Sequence, residues 1–177
     1  YEEYLRKYRY LILSYEFMKP ESEEFHHKLV EWVKQGGTLF YIGKDFDPYN
    51  YLQEWWQKFS CDTPAQHLFA EFGMDKEPAN GCYRIGEGNV LVWNEVPALL
   101  SVNEAIADKY RNWIREGLKM GGYHWNMCNY LSVRRDPYIV IASMQESDTG
   151  SVYTKEGLFV DLYEDKYPVV ERVLVEP

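Results

Sequence analysis

Two stretches, Tyr10-Leu11-Ile12-Leu13-Ser14-Tyr15 and Thr38-Leu39-Phe40-Tyr41-Ile42-Gly43, run almost without polar interruption. That is the pattern of strands covered on both faces. Between them Phe25, Leu29 and Val33 recur every four residues, with Val30 and Trp32 widening the stripe, which predicts a helix with one face on a sheet. Pro20 suits a first helical turn, and Glu21, Glu23 and Glu24 place negative charge at the positive end of the helix dipole. Gly36-Gly37 can end the helix in the left-handed conformation. Residues 16–37 are long enough for the crossover that parallel strands need, and the connection should be right-handed.

Directly after the second run come Gly43-Lys44-Asp45-Phe46-Asp47-Pro48-Tyr49-Asn50. Two carboxylates, a lysine and two aromatics at the carboxyl end of a strand lie where open α/β sheets bind ligands. Asp47-Pro48 reads as cap and first position of a short amphipathic helix carrying Tyr49, Leu52, Trp55 or Trp56, and Phe59. Asp62-Thr63-Pro64 repeats the signal, with Leu68, Phe69 and Phe72 as apolar face and Gly73 as stop. From Gly81 the period changes: Cys82–Ile85 and Asn89–Trp93 read as extended runs around the turn Gly86-Glu87-Gly88. Ser101-Val102-Asn103-Glu104 has the form of a capping box, and Ile106, Tyr110, Trp113, Ile114 and Leu118 continue as a helix face to Gly121-Gly122. Beyond it only short β runs follow, at 130–134, 138–142, 157–162 and 169–175, with spacing that suggests antiparallel strands of a sandwich-like region. The expected architecture is an α/β domain over 1–122, with a three-layer parallel sheet and helices on both faces, followed by an antiparallel β region over 123–177.

Charge narrows the partners. Nineteen Lys and Arg against 28 Asp and Glu leave a net charge of −9 with no basic block, which argues against nucleic acid or an anionic membrane surface as partner. No apolar run approaches the roughly 20 residues that span a bilayer. Cys61, Cys82 and Cys128 are odd in number and irregularly spaced, so they read as buried or free thiols, and a reducing, cytoplasmic compartment is slightly favoured. The chain starts Tyr-Glu-Glu rather than Met, and an upstream strand is expected. Aromatics reach 17%; ring faces stack on the C–H faces of sugars, though bulky core packing explains most rings more simply.

The pattern Leu-Ile-Leu-Ser-Tyr, acidic helix, Leu-Val-Glu-Trp-Val-Lys-Gln-Gly-Gly-Thr-Leu-Phe-Tyr-Ile-Gly resembles the class I glutamine amidotransferase-like (flavodoxin-like) domain, and more closely the version called the β-galactosidase trimerisation domain within β-galactosidase-type glycoside hydrolases. Phe69-Ala70-Glu71-Phe72-Gly73-Met74 and Gly86-Glu87-Gly88-Asn89-Val90 are similar in order, and the likeness spans residues 8–120. The amidotransferase nucleophile pattern Gly-x-Cys-x-Gly is missing. On a strand-to-helix elbow a cysteine would be exposed and its pKa lowered by the helix N-terminus. The resemblance therefore implies a scaffold, oligomerisation or cleft-supporting module of a glycoside hydrolase, without glutaminase chemistry. Its expected partners are a catalytic domain of the same parent chain or a neighbouring subunit, with a carbohydrate ligand and a homo-oligomer as further possibilities.

Among candidate groups, Asp45 and Asp47 could form the carboxylate pair of a self-sufficient glycoside hydrolase. The simpler reading makes Asp47 a helix cap and leaves Asp45 solvated. Lys44, Asp45, Tyr49 and Asn50, with His124 and Trp125 near the domain junction, are candidate substrate contacts, for a carbohydrate-binding module among other readings; packing at the junction competes for the last two. His26 and His27 point about 100° apart on a helix and cannot grip one metal together. His67 is a distant third ligand with no motive, and surface histidines are the expectation. Gly86-Glu87-Gly88 is too short for a dinucleotide fingerprint. Arg134-Arg135-Asp136 reads as an anion contact or an ion pair at a sheet edge. No cofactor and no metal are expected.

Overall fold

The computed structural model describes residues 1–46, 48–51, 54–125, 128, 130–143 and 153–175. Contacts divide the chain into two compact units, Tyr1–His124 and Trp125–Pro177.

In the first unit, α1 (Glu2–Leu5) leads to β1 (Tyr10–Leu13), α2 (Glu23–Lys34) and β2 (Thr38–Ile42). β1 and β2 pair in parallel, Tyr10 opposite Thr38 and Leu13 opposite Tyr41. α2 begins after Ser22 rather than near Pro20, which stays outside the helix. Gly36 takes φ +113° at the turn after it. After α3 (Pro64–Glu71), the strands β3 (Gly81–Ile85) and β4 (Gly88–Trp93) form a hairpin. β4 inserts parallel to β2, so the sheet order is β1-β2-β4-β3. The sheet is therefore mixed rather than wholly parallel: a tight turn can only return the chain antiparallel, so β3 becomes an antiparallel edge.

Gly88 shows why the hairpin settles there. A Cβ at Gly88 would stand 2.0 Å from the Val33 carbonyl oxygen and 2.2 Å from that of Gly37. The backbone of β4 thus lies directly against the end of α2, and the Asn89 amide donates to the Gly37 carbonyl at 3.1 Å.

Side chains alternate across the sheet. Leu39, Tyr41, Val90 and Val92 share a core with Leu29, Val30 and Val33 of α2 and Leu68 and Phe69 of α3. Phe40 and Leu91 face the other way, toward α4 (Glu104–Met120), whose Gly117 leaves no room for a Cβ beside either of them. Trp113 meets the Phe40 ring edge-on at 5.2 Å.

Two local expectations are corrected, and a third, the cap before Pro64, holds. The described residues between 48 and 59 form two short 3-10 helices, Pro48–Tyr51 and Trp55–Phe59, where an α-helix is expected. The cap of α4 is Asn103, whose side chain accepts from the Ile106 amide at 3.1 Å, while the Ser101 hydroxyl donates to the Ala98 carbonyl inside another 3-10 turn. Thr63 caps α3 by accepting from the Gln66 amide at 3.2 Å.

In the second unit, β5 (Tyr130–Arg135) pairs with β6 (Tyr138–Ser143) and β7 (Tyr153–Val160) with β8 (Val169–Val175), both antiparallel. β7 starts four residues earlier than its apolar run at 157–162 implies. The antiparallel pairing agrees with the expected β region; among the described residues the unit holds two two-stranded sheets, and none of these residues is buried.

Candidate functional site

The loops after β1, β2 and β4 meet at the carboxyl ends of the three parallel strands. Following β1, the Ser14 hydroxyl oxygen accepts from the Glu16 amide at 3.3 Å, and Glu16 Oε1 accepts from the amides of Lys44 and Asp45 at 2.9 and 3.0 Å. The loop after β2 is thus held by a carboxylate from the loop after β1. Asp45 adopts the left-handed conformation, φ +56°, which Asp tolerates better than most residues. The turn carries its side chain inward: Asp45 is 7% exposed, and its Oδ1 accepts from Lys19 Nζ at 2.7 Å. Lys19 Nζ also donates to the Tyr15 carbonyl at 2.6 Å. Asn50 is buried, and its side-chain amide donates to the Asp45 carbonyl. Lys44 Nζ reaches Glu95 Oε1, beyond β4, at 3.4 Å.

Two buried oxygens here, Asp45 Oδ2 and Asn50 Oδ1, have no hydrogen-bond partner among the described residues. The Tyr41 hydroxyl, also buried, approaches the Tyr15 main chain without reaching hydrogen-bond geometry. Burial raises the pKa of the Tyr15 and Tyr41 phenols well above the ordinary value, and the negative Asp45 raises both further. A cavity of about 240 Å³ opens beside this loop, between residues 43–46, the first turn of α3, the 76–78 segment and Asn94.

These positions sort the candidate residues. Lys44 and Asp45 line the cavity, and Asn50 braces the loop from behind. Asp45 is not solvated, because the Lys19 ammonium draws its carboxylate inward. The side chains of Asp47 and Tyr49 lie outside the described residues. His124 is exposed and Trp125 half-buried; neither lines the cavity. Glu16 and Lys19 escaped the sequence reading, although the rule that directs attention to the end of β2 applies equally to the end of β1. The Arg134 guanidinium is paired with Asp136, as an edge ion pair requires.

A second polar cluster lies under the apolar face of α2. His26 and His67 are 0% and 2% exposed, so the expectation of surface histidines fails for both. The Tyr15 hydroxyl lies 2.7 Å from His26 Nε2, and His26 Nδ1 lies 2.9 Å from His67 Nδ1. His67 Nε2 faces Glu71 Oε1 at 4.0 Å, and His27 Nε2 faces Glu71 Oε2 at 3.4 Å. The Glu71 carboxylate favours an N–H at His67 Nε2. His67 Nδ1 then accepts from His26 Nδ1–H, and His26 Nε2 accepts from the Tyr15 hydroxyl, so both rings are neutral. Burial, reinforced by His67 and His27, lowers the His26 pKa to about 3. Burial also lowers that of His67, against the pull of Glu71. The missed signal was local: His26, Leu29, Val30 and Val33 stand at i, i+3, i+4 and i+7, on one helix stripe.

Among the described residues no group of three His, Cys, Asp or Glu side chains could hold a metal ion. Cys61 is buried, with its thiol 3.5 Å from the Phe59 carbonyl, and Cys82 and Cys128 are exposed; none lines the cavity. Comparison with protein families, with curated proteins and with solved structures finds no match for this chain.

Proposed function

We propose that this chain is an amidotransferase-like, flavodoxin-like module of a carbohydrate-active protein, of the β-galactosidase trimerisation type. Its role is to support a substrate cleft or a subunit contact rather than to catalyse. The observation that carries this reading is the use made of the strand ends. Where a catalytic α/β domain presents a nucleophile, this chain ties its loops to one another through Glu16, Lys19 and Asp45.

The Lys19 ion pair also counts against the hydrolase alternative. A retaining or inverting glycosidase needs two carboxyl groups turned toward the sugar, whereas the buried Asp45 carboxylate is turned onto the Lys19 ammonium at 2.7 Å. The partners that fit are a catalytic domain of the same parent protein, or a second copy.

The test is catalytic silence. The 177-residue chain is expected to release no nitrophenol from nitrophenyl galactosides or glucosides and no ammonia from glutamine. Turnover that disappears in Asp45→Asn would overturn the reading. Light scattering over a dilution series separates an oligomerising module from a monomeric support.

A further inference from the structure

We propose that the cavity beside β2 and β4 binds one neutral polyhydroxylated ring, of monosaccharide or cyclitol size. The proposal rests on the non-catalytic reading above and adds a ligand class to the same site.

Size is the first argument. A volume of about 240 Å³ falls below the roughly 300–1,000 Å³ of drug-sized pockets, so it suits a single ring.

Charge is the second. Lys44, Asp45, Lys76 and Glu77 line the cavity, two of each sign. Each is already engaged: Lys44 with Glu95 at 3.4 Å, Asp45 with Lys19 at 2.7 Å, Lys76 with the Ser60 carbonyl at 2.6 Å, and Glu77 with Gln66 Nε2 at 3.0 Å. An ionic ligand would be stripped of water with no uncompensated counter-charge waiting for it. A neutral polyol loses far less and can hydrogen-bond to the outer edges of these pairs.

The third argument is the unfilled acceptor. Asp45 is more than nine-tenths buried, and its Oδ2 has no donor among the described residues. A buried carboxylate oxygen is rarely left so; closed off in the unliganded chain, it gains its donor as the 43–46 loop gives way to a ligand hydroxyl. Phe46, lining the same cavity, is 78% exposed. Its ring offers a flat apolar face of the kind that stacks on the C–H side of a sugar.

Amide-resolved NMR titration of the whole chain tests this. D-galactose, D-glucose and myo-inositol are compared with D-galacturonate and D-glucosamine, which add a charge to a ring of similar size. The neutral rings are expected to shift the amides of 43–46, Gln66 and Asn94 with millimolar affinity, and the charged analogues to bind at least tenfold more weakly, because each buries an uncompensated charge. Phe46→Ala should weaken binding roughly threefold to tenfold, the scale of one ring contact. Asp45→Asn should weaken it too. If Asp45→Asn loses the wild-type spectrum, Phe46→Ala decides, since an exposed side chain can be removed without harm to the core. Equal or tighter binding of either charged analogue, or shifts confined to other amides, would overturn the proposal. So would no shift well above millimolar sugar, and that result, with hydrolysis silent, would leave the scaffold reading standing.

Discussion

Acid should unfold this protein by charging a histidine that the core holds neutral. His26 is fully buried, with Tyr15 and His67 on its two ring nitrogens, Trp55 edge-on at 5.2 Å, Phe25 beside it and His27 next in the chain. Its native pKa is about 3 against an ordinary 6.5. Below pH 6.5 the unfolded chain takes up a proton that the folded chain refuses. The stability due to neutral His26 is therefore complete above about pH 6.5 and is lost as pH falls toward 3. With 1.36 kcal/mol per pH unit, the loss is about 2 kcal/mol at pH 5 and about 5 kcal/mol across the whole window. Domains of this kind have only about 5–15 kcal/mol in total. His67, shifted the same way, adds to the effect.

Urea unfolding at pH 7, 6 and 5, followed by tryptophan fluorescence, measures it, and five of the six tryptophans lie in the first unit. A His26→Gln variant run in parallel cancels the contribution of the carboxylates. It should be less stable at pH 7 yet lose about 2 kcal/mol less than the parent between pH 7 and 5. A His26 ring resonance that titrates near 6.5 in the folded protein would refute the reasoning, as would matching pH dependence in parent and variant.

Three further outcomes are expected. Gly88→Ala should cost about 3 kcal/mol or more, because the new methyl meets two backbone carbonyl oxygens that cannot rotate away; thermal unfolding close to the parent Tm would contradict this. Asn103→Ala should destabilise by about 1 kcal/mol and Ser101→Ala by much less, since only Asn103 accepts from the first turn of α4; urea midpoints in the reverse order would reassign the cap. Removing one partner of the buried Lys19–Asp45 pair, as in Lys19→Met, should cost about 3–5 kcal/mol by stranding the carboxylate. Adding Asp45→Leu to that variant should recover part of the loss, and a double variant worse than the sum of the singles would show that the pair is not the unit.

Much of the local structure was legible in the chain because its signals are local. Apolar runs at 10–15 and 38–43, the stripe through Leu29 and Val33, and the glycines at 36, 37 and 73 specify strands, helix and stops within a few residues of themselves. The order of elements also points to the carboxyl end of β2, and a cavity lies beside it. The rest depended on residues far apart in sequence. That β4 slots beside β2 and leaves β3 antiparallel was settled by the fit of Gly88 against the end of α2, more than fifty residues earlier in the chain. Asp45 looked solvated until Lys19, 26 positions away, was brought to its carboxylate. His26 and His67, 41 positions apart, looked like surface residues until helix packing set their rings in contact and shut out water. Periodicity reports which face of an element is buried. Only the folded chain decides which polar groups meet on that face, because partnership depends on three-dimensional distance.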